Sequence, residues 1–470
     1  MSGYIVLTIS LGIVGVIAYH MSGRELLSPA VVVALSLFCA SALCLVGYGS
    51  WNDILLEPYC IFLITLGTLS MVIGALVPRA YVKMRASVAL RLDTGTELQG
   101  ANVSSCPATW KYCFLVLLVM LITVEHVVET YSIATELGAH YSGYFEAQQI
   151  VRVATSPLYS GDYTGFNDGY SFISKQLEKL TIAIGYVSAI RLGRVVRRRS
   201  NSCDLYPCML LAVVSGVSSF LYGGRYQMLM YLISFLLSCW ICGLAEKRGD
   251  QKKTAAFSRR FVAIGAGVGA FCALALYVLS PILGRNFDAS LLDYVGAYYG
   301  CGIPSFQMML NTGFDPYNIP GFNTFHEQMS FLSKFGIYES LPGFGSYFVP
   351  TQSFISNVFT CAYRYYSDFG ILGMVILSLV SGLAYGWLYE RALRPGAGAV
   401  WMYVFPALAC HLIDVCRDEK FFATVFSFST LLLIVAMVAV LCFLFLSFSD
   451  IRTETRTRFF CARHVETEND

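Results

Sequence analysis

Apolar runs long enough to cross a bilayer, roughly 20 residues each, recur along the whole chain. They fall near 3–20, 29–49, 54–77, 111–130, 171–190, 206–222, 226–245, 261–283, 369–389, 399–416 and 424–447. That pattern predicts an all-α polytopic membrane protein of about 11 transmembrane helices, because only helices satisfy their own backbone within lipid. The fifth run is the weakest, since SKQLEK interrupts its start. Two polar stretches break the rhythm, 131–170 and 284–368, and a polar tail follows at 448–470. The whole of 1–470 is expected to form a single integral membrane domain.

Composition agrees: 56% of residues are hydrophobic, 13% are charged, and mean hydropathy is +0.61. The formal charge of +2 says little, whereas the placement of charge says more. Most of the 32 basic residues fall in alternate loops, among them Arg79, Lys83, Arg85, Arg191, Arg194, Arg197–Arg199, Lys252, Lys253, Arg391 and Arg394. By the positive-inside bias these loops are cytoplasmic, so the N-terminus faces out and the C-terminus in. The first span lacks a basic n-region, as suits a segment translocated N-terminus first. The 16 cysteines read mainly as small apolar residues, CWIC at 239–242 included. Cys301 and Cys361 both fall on the outer side, where a disulfide is permitted, and spacing alone leaves their pairing open. The Asn102 sequon lies on the cytoplasmic side. No internal repeat, phosphate-binding loop, zinc spacing or nucleic-acid signature stands out.

The two long polar stretches are too long for connectors and too aromatic for disorder. They read as external loops, the larger carrying short helices, with their aromatics either stacking on sugars or seated at the membrane interface. Basic residues on this side are scarce: Arg152, Lys175, Lys179, Arg225, Arg285, Lys334, Arg364, Arg417 and Lys420. Arg225 follows Gly223-Gly224 between two apolar runs, where the glycines allow a turn within two residues. Arg285, Arg364 and Arg417 lie at the outer ends of other runs, so four guanidiniums are expected at one depth. Each either anchors to lipid phosphate, pairs with Asp368, Asp418 or Glu419, or binds an anionic substrate. Arginine cannot act as a base, but it binds phosphate bidentately and stabilises charge on a leaving group.

Several stretches resemble the bacterial oligosaccharide repeat-unit polymerases, the Wzy-type O-antigen or capsule polymerases. They are GGRYQM (223–228), YYGCGIPSF (298–306), GFNTF (321–325), SNVFTCAYRYYSDFGILG (356–373), GLAYGWLYER (382–391) and CRDEKFF (416–422). The resemblance spans roughly 205–425, and the remainder matches in hydropathy alone. It implies a GT-C-like glycosyltransferase of the bacterial inner membrane, using neither cofactor nor metal. Such an enzyme takes the growing chain from undecaprenyl diphosphate and joins it to a new lipid-linked repeat unit on the periplasmic face. A chain-length regulator protein is the implied partner, alongside the bilayer and without nucleic acid.

Within that reading, Arg225, Arg364 and Arg417 are expected to bind diphosphate, followed by Arg285 and Arg152. Tyr298, Tyr299, Asn357 and Tyr365 are further substrate-binding candidates. Asp368 and His326 lead as the proton acceptor, ahead of Glu327 and Asp418. Arg364 and Asp368 are four apart, which on a helix shares one face; Asp368 is equally a helix cap. His326 has an ordinary pKa near ~6.5, suited to proton transfer or to a plain polar contact. His411 reads as a packed helix residue. The competing classes are a flippase for the same lipid-linked units and an O-antigen ligase.

Overall fold

The computed structural model describes residues 1–89, 107–138, 140–154, 169–198, 202–223, 225–245, 247, 250–279, 290–313, 319–338, 341, 349–350, 355–356, 358–394 and 399–445. The described residues are helical almost throughout. Helices α1 (Ser2–Met21), α2 (Pro29–Val46), α3 (Pro58–Ala89) and α4 (Thr109–Glu136) come first. After a short α5 (Tyr144–Ala154) follow α6 (Phe172–Arg198), α7 (Ser202–Leu221), α8 (Arg225–Ala245) and α9 (Gln251–Leu279). Three short helices, α10 (Leu291–Gly300), α11 (Gly302–Thr312) and α12 (Phe322–Ser333), lie within the longer polar stretch. A two-residue antiparallel pair, β1 (Val349–Pro350) and β2 (Ile355–Ser356), precedes α13 (Cys361–Ala392). The chain then forms α14 (Ala399–Ala409), a 3-10 turn (Cys410–Asp414), a π-helical turn (Phe421–Val425) and α15 (Phe428–Phe445).

Among the described residues eight helices are long and apolar enough to cross a bilayer: α1 to α4, α7, α8, α13 and α15. The other three expected spans coincide with α6, α9 and α14. The surface of α4 shows what solvent the bundle meets. Phe114, Leu117, Leu121, Val124 and Val128 are all exposed at three- or four-residue spacing, while Leu115, Val119 and Ile122 on the opposite side are buried. A helix apolar on both sides is compatible with hydrocarbon around the fold and not with water. The protein is a multi-pass membrane protein.

Polar contacts sort the loops into two ends. At one end Arg79 pairs with Glu25, which also accepts from Tyr389; Ser258 donates to the Arg24 carbonyl, and Lys111 to that of Leu444. At the other end Ser50 bonds Asp293, the Glu57 amide bonds Gln307, and Arg364 pairs with Asp418. Helix α6 joins the two ends: Ser174 near its start bonds Glu125, and Arg191 near its finish pairs with Asp204. This alternation matches the separation of basic loops along the sequence.

Helices α3 and α13 cross at close range. A Cβ added at Gly382 would lie 2.0 Å from the Met71 carbonyl oxygen, and one at Gly386 would lie 2.4 Å from that of Ala75. Gly74 faces the Leu379 oxygen in the same way. Small residues let two backbones approach where packing, and not exclusion of water, must hold helices together. At the start of α13 Thr360 caps the helix by accepting from the Tyr363 amide.

Candidate functional site

The α10–α12 end of the bundle is built around a turn that follows the 3-10 segment. The Asp414 carbonyl accepts from the amides of both Arg417 (2.7 Å) and Asp418 (2.8 Å), reversing the chain within four residues. Neighbours pin it in place. Tyr299 on α10 and Ser36 on α2 both donate to the Ile413 carbonyl, at 2.8 and 2.6 Å, and the Cys361 amide donates to Val415. Glu419 then starts the π-helical turn, accepting from the amides of Phe421, Phe422 and Ala423 and from the Tyr365 hydroxyl. Burial pushes its carboxyl up, and these donors work against that push.

A cleft of about 530 Å³ opens beside this turn. Its walls are Tyr226 and Leu229 of α8, Gly269 of α9, and Tyr294, Tyr298 and Tyr299 of α10, with Asp414, Arg417, Asp418 and Lys420 at its polar side. Tyr294 and Tyr298 stack with ring centres 5.8 Å apart, and the Arg417 guanidinium lies 4.8 Å above the Tyr298 ring. Arg417 also reaches Asp414 Oδ1 at 3.5 Å, a long contact, and its side chain keeps 22% exposure. Burial tends to lower the Arg417 pKa, but Asp414 together with Tyr298 and the nearby Cys301 and Cys416 thiols outweighs that effect and raises it. At the back of the cleft the Tyr226 hydroxyl donates to Asp414 Oδ2 and meets His411 Nδ1 at 2.9 Å.

A second constellation lies behind the first. Arg364, only 1% exposed, gives Nε to Asp418 Oδ1 at 3.1 Å and Nη1 to Asn323 Oδ1 at 3.4 Å, and stacks 4.8 Å above Phe359. Asp418 Oδ2 accepts from Lys420 at 3.2 Å. Burial alone would raise the Asp418 pKa, but Lys420 and Arg364 bring it down to about 2. Asp368 caps α12: it accepts from the amides of Asn323 (3.2 Å) and Thr324 (2.7 Å) and from the Asn323 side chain (3.1 Å). Gly321, at φ 81°, provides the left-handed turn that aims those amides.

The expected residues therefore separate. Arg417, Tyr298 and Tyr299 line the cleft, with Tyr299 also serving as an anchor. Arg364 is taken up by protein partners, and Tyr365 is buried, holding Glu419 and Ser381. Arg364 and Asp368, expected to act on one face, meet through Asn323. The cap anticipated for Asp368 is on α12 and not on its own helix. His326 is buried, which drives its imidazole from 6.5 to about 3 and removes the proton affinity an unperturbed ring would have. Arg152 sits exposed in the last turn of α5. The turn before Arg225 has Gly223 at φ 77°, and Tyr144 and Gln148 of α5 both donate to the Leu221 carbonyl beside it. Arg225 opens α8, one residue before Tyr226, and its side chain lies outside the described residues, as do Arg285 and Asn357. Cys301 and Cys361 are buried and are not joined by a disulfide.

Sequence reasoning passed over Asp414, Tyr226, His411 and Asn323. One signal was available for two of them: HLIDVCRDEK places His, two Asp, Arg, Glu and Lys within ten residues at the end of an apolar run. No protein-family model, curated protein or solved structure matches this chain.

Proposed function

We propose that this protein is a glycosyltransferase polymerising polyprenyl-diphosphate-linked oligosaccharide repeat units at the outer face of a bacterial inner membrane. The observation that carries this reading is the cleft, where Arg417 and Lys420 stand beside the stacked Tyr294–Tyr298 pair within an apolar bundle. A lipid-linked glycan needs all three surfaces: cations for diphosphate, aromatic faces for sugar, and hydrocarbon for the polyprenyl tail. The resemblance of 205–425 to the Wzy-type polymerases points the same way. In this reading α6, α9 and α14 join the eight apolar helices as membrane crossings in a GT-C-like arrangement. The α10–α12 end then faces the periplasm, with the N-terminus out and the C-terminus in. Undecaprenyl diphosphate leaves as a stable anion, so the site needs charge compensation at the phosphates more than a strong acid.

Purified protein in proteoliposomes is expected to extend undecaprenyl-diphosphate-linked repeat units into a ladder of chains. Arg417→Ala should lose extension while the protein still folds, because that side chain is partly exposed and its ion pair with Asp414 is long. Units that cross the bilayer without growing would identify a transporter. Finished chains passed to a different acceptor would identify a ligase. Either result overturns the polymerase reading.

A further inference from the structure

The hydrogen bonds of Asp418, Glu419, Asp368 and Asp414 rank these four acids as proton acceptors. Asp418 is held by Arg364, Lys420 and the Glu419 amide, which makes its carboxylate a weak base. Glu419 has four donors and does not border the cleft. Asp368 is committed to the start of α12 and does not border the cleft. Asp414 differs from all three. Like Asp418 it lines the cleft, with its side chain 3% exposed, but its Oδ1 is met at 3.5 Å by a guanidinium that is itself partly exposed, and its Oδ2 is oriented by the Tyr226 hydroxyl. Since that hydroxyl gives its proton to Asp414, the 2.9 Å contact with His411 requires the hydrogen to sit on His411 Nδ1. The imidazole therefore donates to Tyr226, and the pair fixes the carboxylate from behind.

We propose that Asp414 is the catalytic base of the transfer, with Tyr226 and His411 as its positioning residues; this rests on the glycosyltransferase reading above. The Arg417–Asp414 contact gives the step its order. Diphosphate entering the cleft competes for the Arg417 guanidinium, and its departure from Asp414 frees Oδ1 towards the acceptor hydroxyl. The acceptor oxygen forms the new bond to the anomeric carbon as that carbon's bond to the diphosphate oxygen breaks. The bonding pair leaves with undecaprenyl diphosphate, and the acceptor proton passes to Asp414, then to water at the cleft mouth. General-base assistance of this kind contributes about 10²–10⁴-fold.

The test measures chain extension and binding separately, with undecaprenyl-diphosphate-linked repeat units as substrate and undecaprenyl diphosphate as the binding probe. Asp414→Asn is expected to lower kcat at least about 100-fold. Its affinity for undecaprenyl diphosphate should be equal or tighter, because the acid that competes for Arg417 is gone. Tyr226→Phe should lower kcat about 10-fold with unchanged probe affinity, and Asp414→Glu should recover part of the rate lost in Asp414→Asn. Elution of each variant as a monodisperse peak establishes that it folds. Wild-type kcat in Asp414→Asn overturns the assignment, as does a parallel loss of kcat and probe affinity, which would make Asp414 a structural partner of Arg417. If Asp414→Asn fails to fold, wild-type kcat in Tyr226→Phe overturns it instead. Should the wild-type protein bind the probe yet extend nothing, the glycosyltransferase reading fails and this assignment falls with it.

Discussion

Removing Arg364 should cost the protein its stability before it costs any ligand. Its guanidinium is buried and joins three groups: Asp418 at 3.1 Å, Asn323 at 3.4 Å and the Phe359 ring at 4.8 Å. Truncating one partner of a buried ion pair costs about 3–5 kcal/mol, because the other charge is left in a poorly solvating site. Here the Asp418 side chain keeps 23% exposure and retains Lys420, which places the ionic part near the low end. The lost cation–π contact adds about 0.5–2 kcal/mol. Arg364→Ala should therefore lose about 3–5 kcal/mol, a large share of the 5–15 kcal/mol that holds a typical fold. Thermal unfolding in detergent, followed by intrinsic fluorescence, measures this directly. The double variant Arg364→Met/Asp418→Asn should regain much of the loss, since it removes the stranded charge. The sign of the pH dependence is also fixed. Asp418 falls from 3.8 to about 2 in the folded chain, so its contribution is present above pH 3.8 and is lost as pH falls towards 2. The gap between wild type and Arg364→Ala should narrow within that window. An Arg364→Ala protein with wild-type thermal stability and lost diphosphate binding would refute this reasoning and make Arg364 a ligand-binding residue.

Three further outcomes follow from the same structure. Glu419→Gln points an amide NH2 at backbone donors that now meet a carboxylate oxygen, and should destabilise by about 1–3 kcal/mol in the same unfolding assay. Gly386→Val forces apart α3 and α13, where a Cβ already stands 2.4 Å from the Ala75 oxygen, and should lower stability by at least about 1–3 kcal/mol. His326 is held neutral when folded, its pKa lowered from 6.5 to about 3, so its share of stability is present above pH 6.5 and declines as pH falls towards 3. His326→Gln should flatten part of the fall in melting temperature between pH 7 and 4.5, and an unchanged slope would show that burial does not govern this ring.

The run pattern alone located the helices, because a bilayer allows few structures and a helix must carry about 20 apolar residues to cross it. Each expected run falls on a helix, and α10, α11 and α12 lie inside the longer polar stretch. The sequence also drew attention to Arg417 and Tyr298, since charge and aromatic residues at the end of an apolar run are scarce enough to stand out. It could not separate Arg417 from Arg364. Both are arginines near helix ends, yet one borders the cleft and the other is enclosed by Asp418, Asn323 and Phe359.

Local pattern also could not foresee the partners. Asp368 finds the start of α12 some 45 positions away, and Tyr226 finds Asp414 across 188. Hydrophobic length is a property of consecutive residues, so it can be read along the chain. The role of a charge depends on which atoms surround it, and those are brought together only when helices distant in sequence pack. The sequence thus determined that this chain threads a membrane and where it bends, while the tertiary structure decided which of its charges serve the fold and which are left facing a cleft.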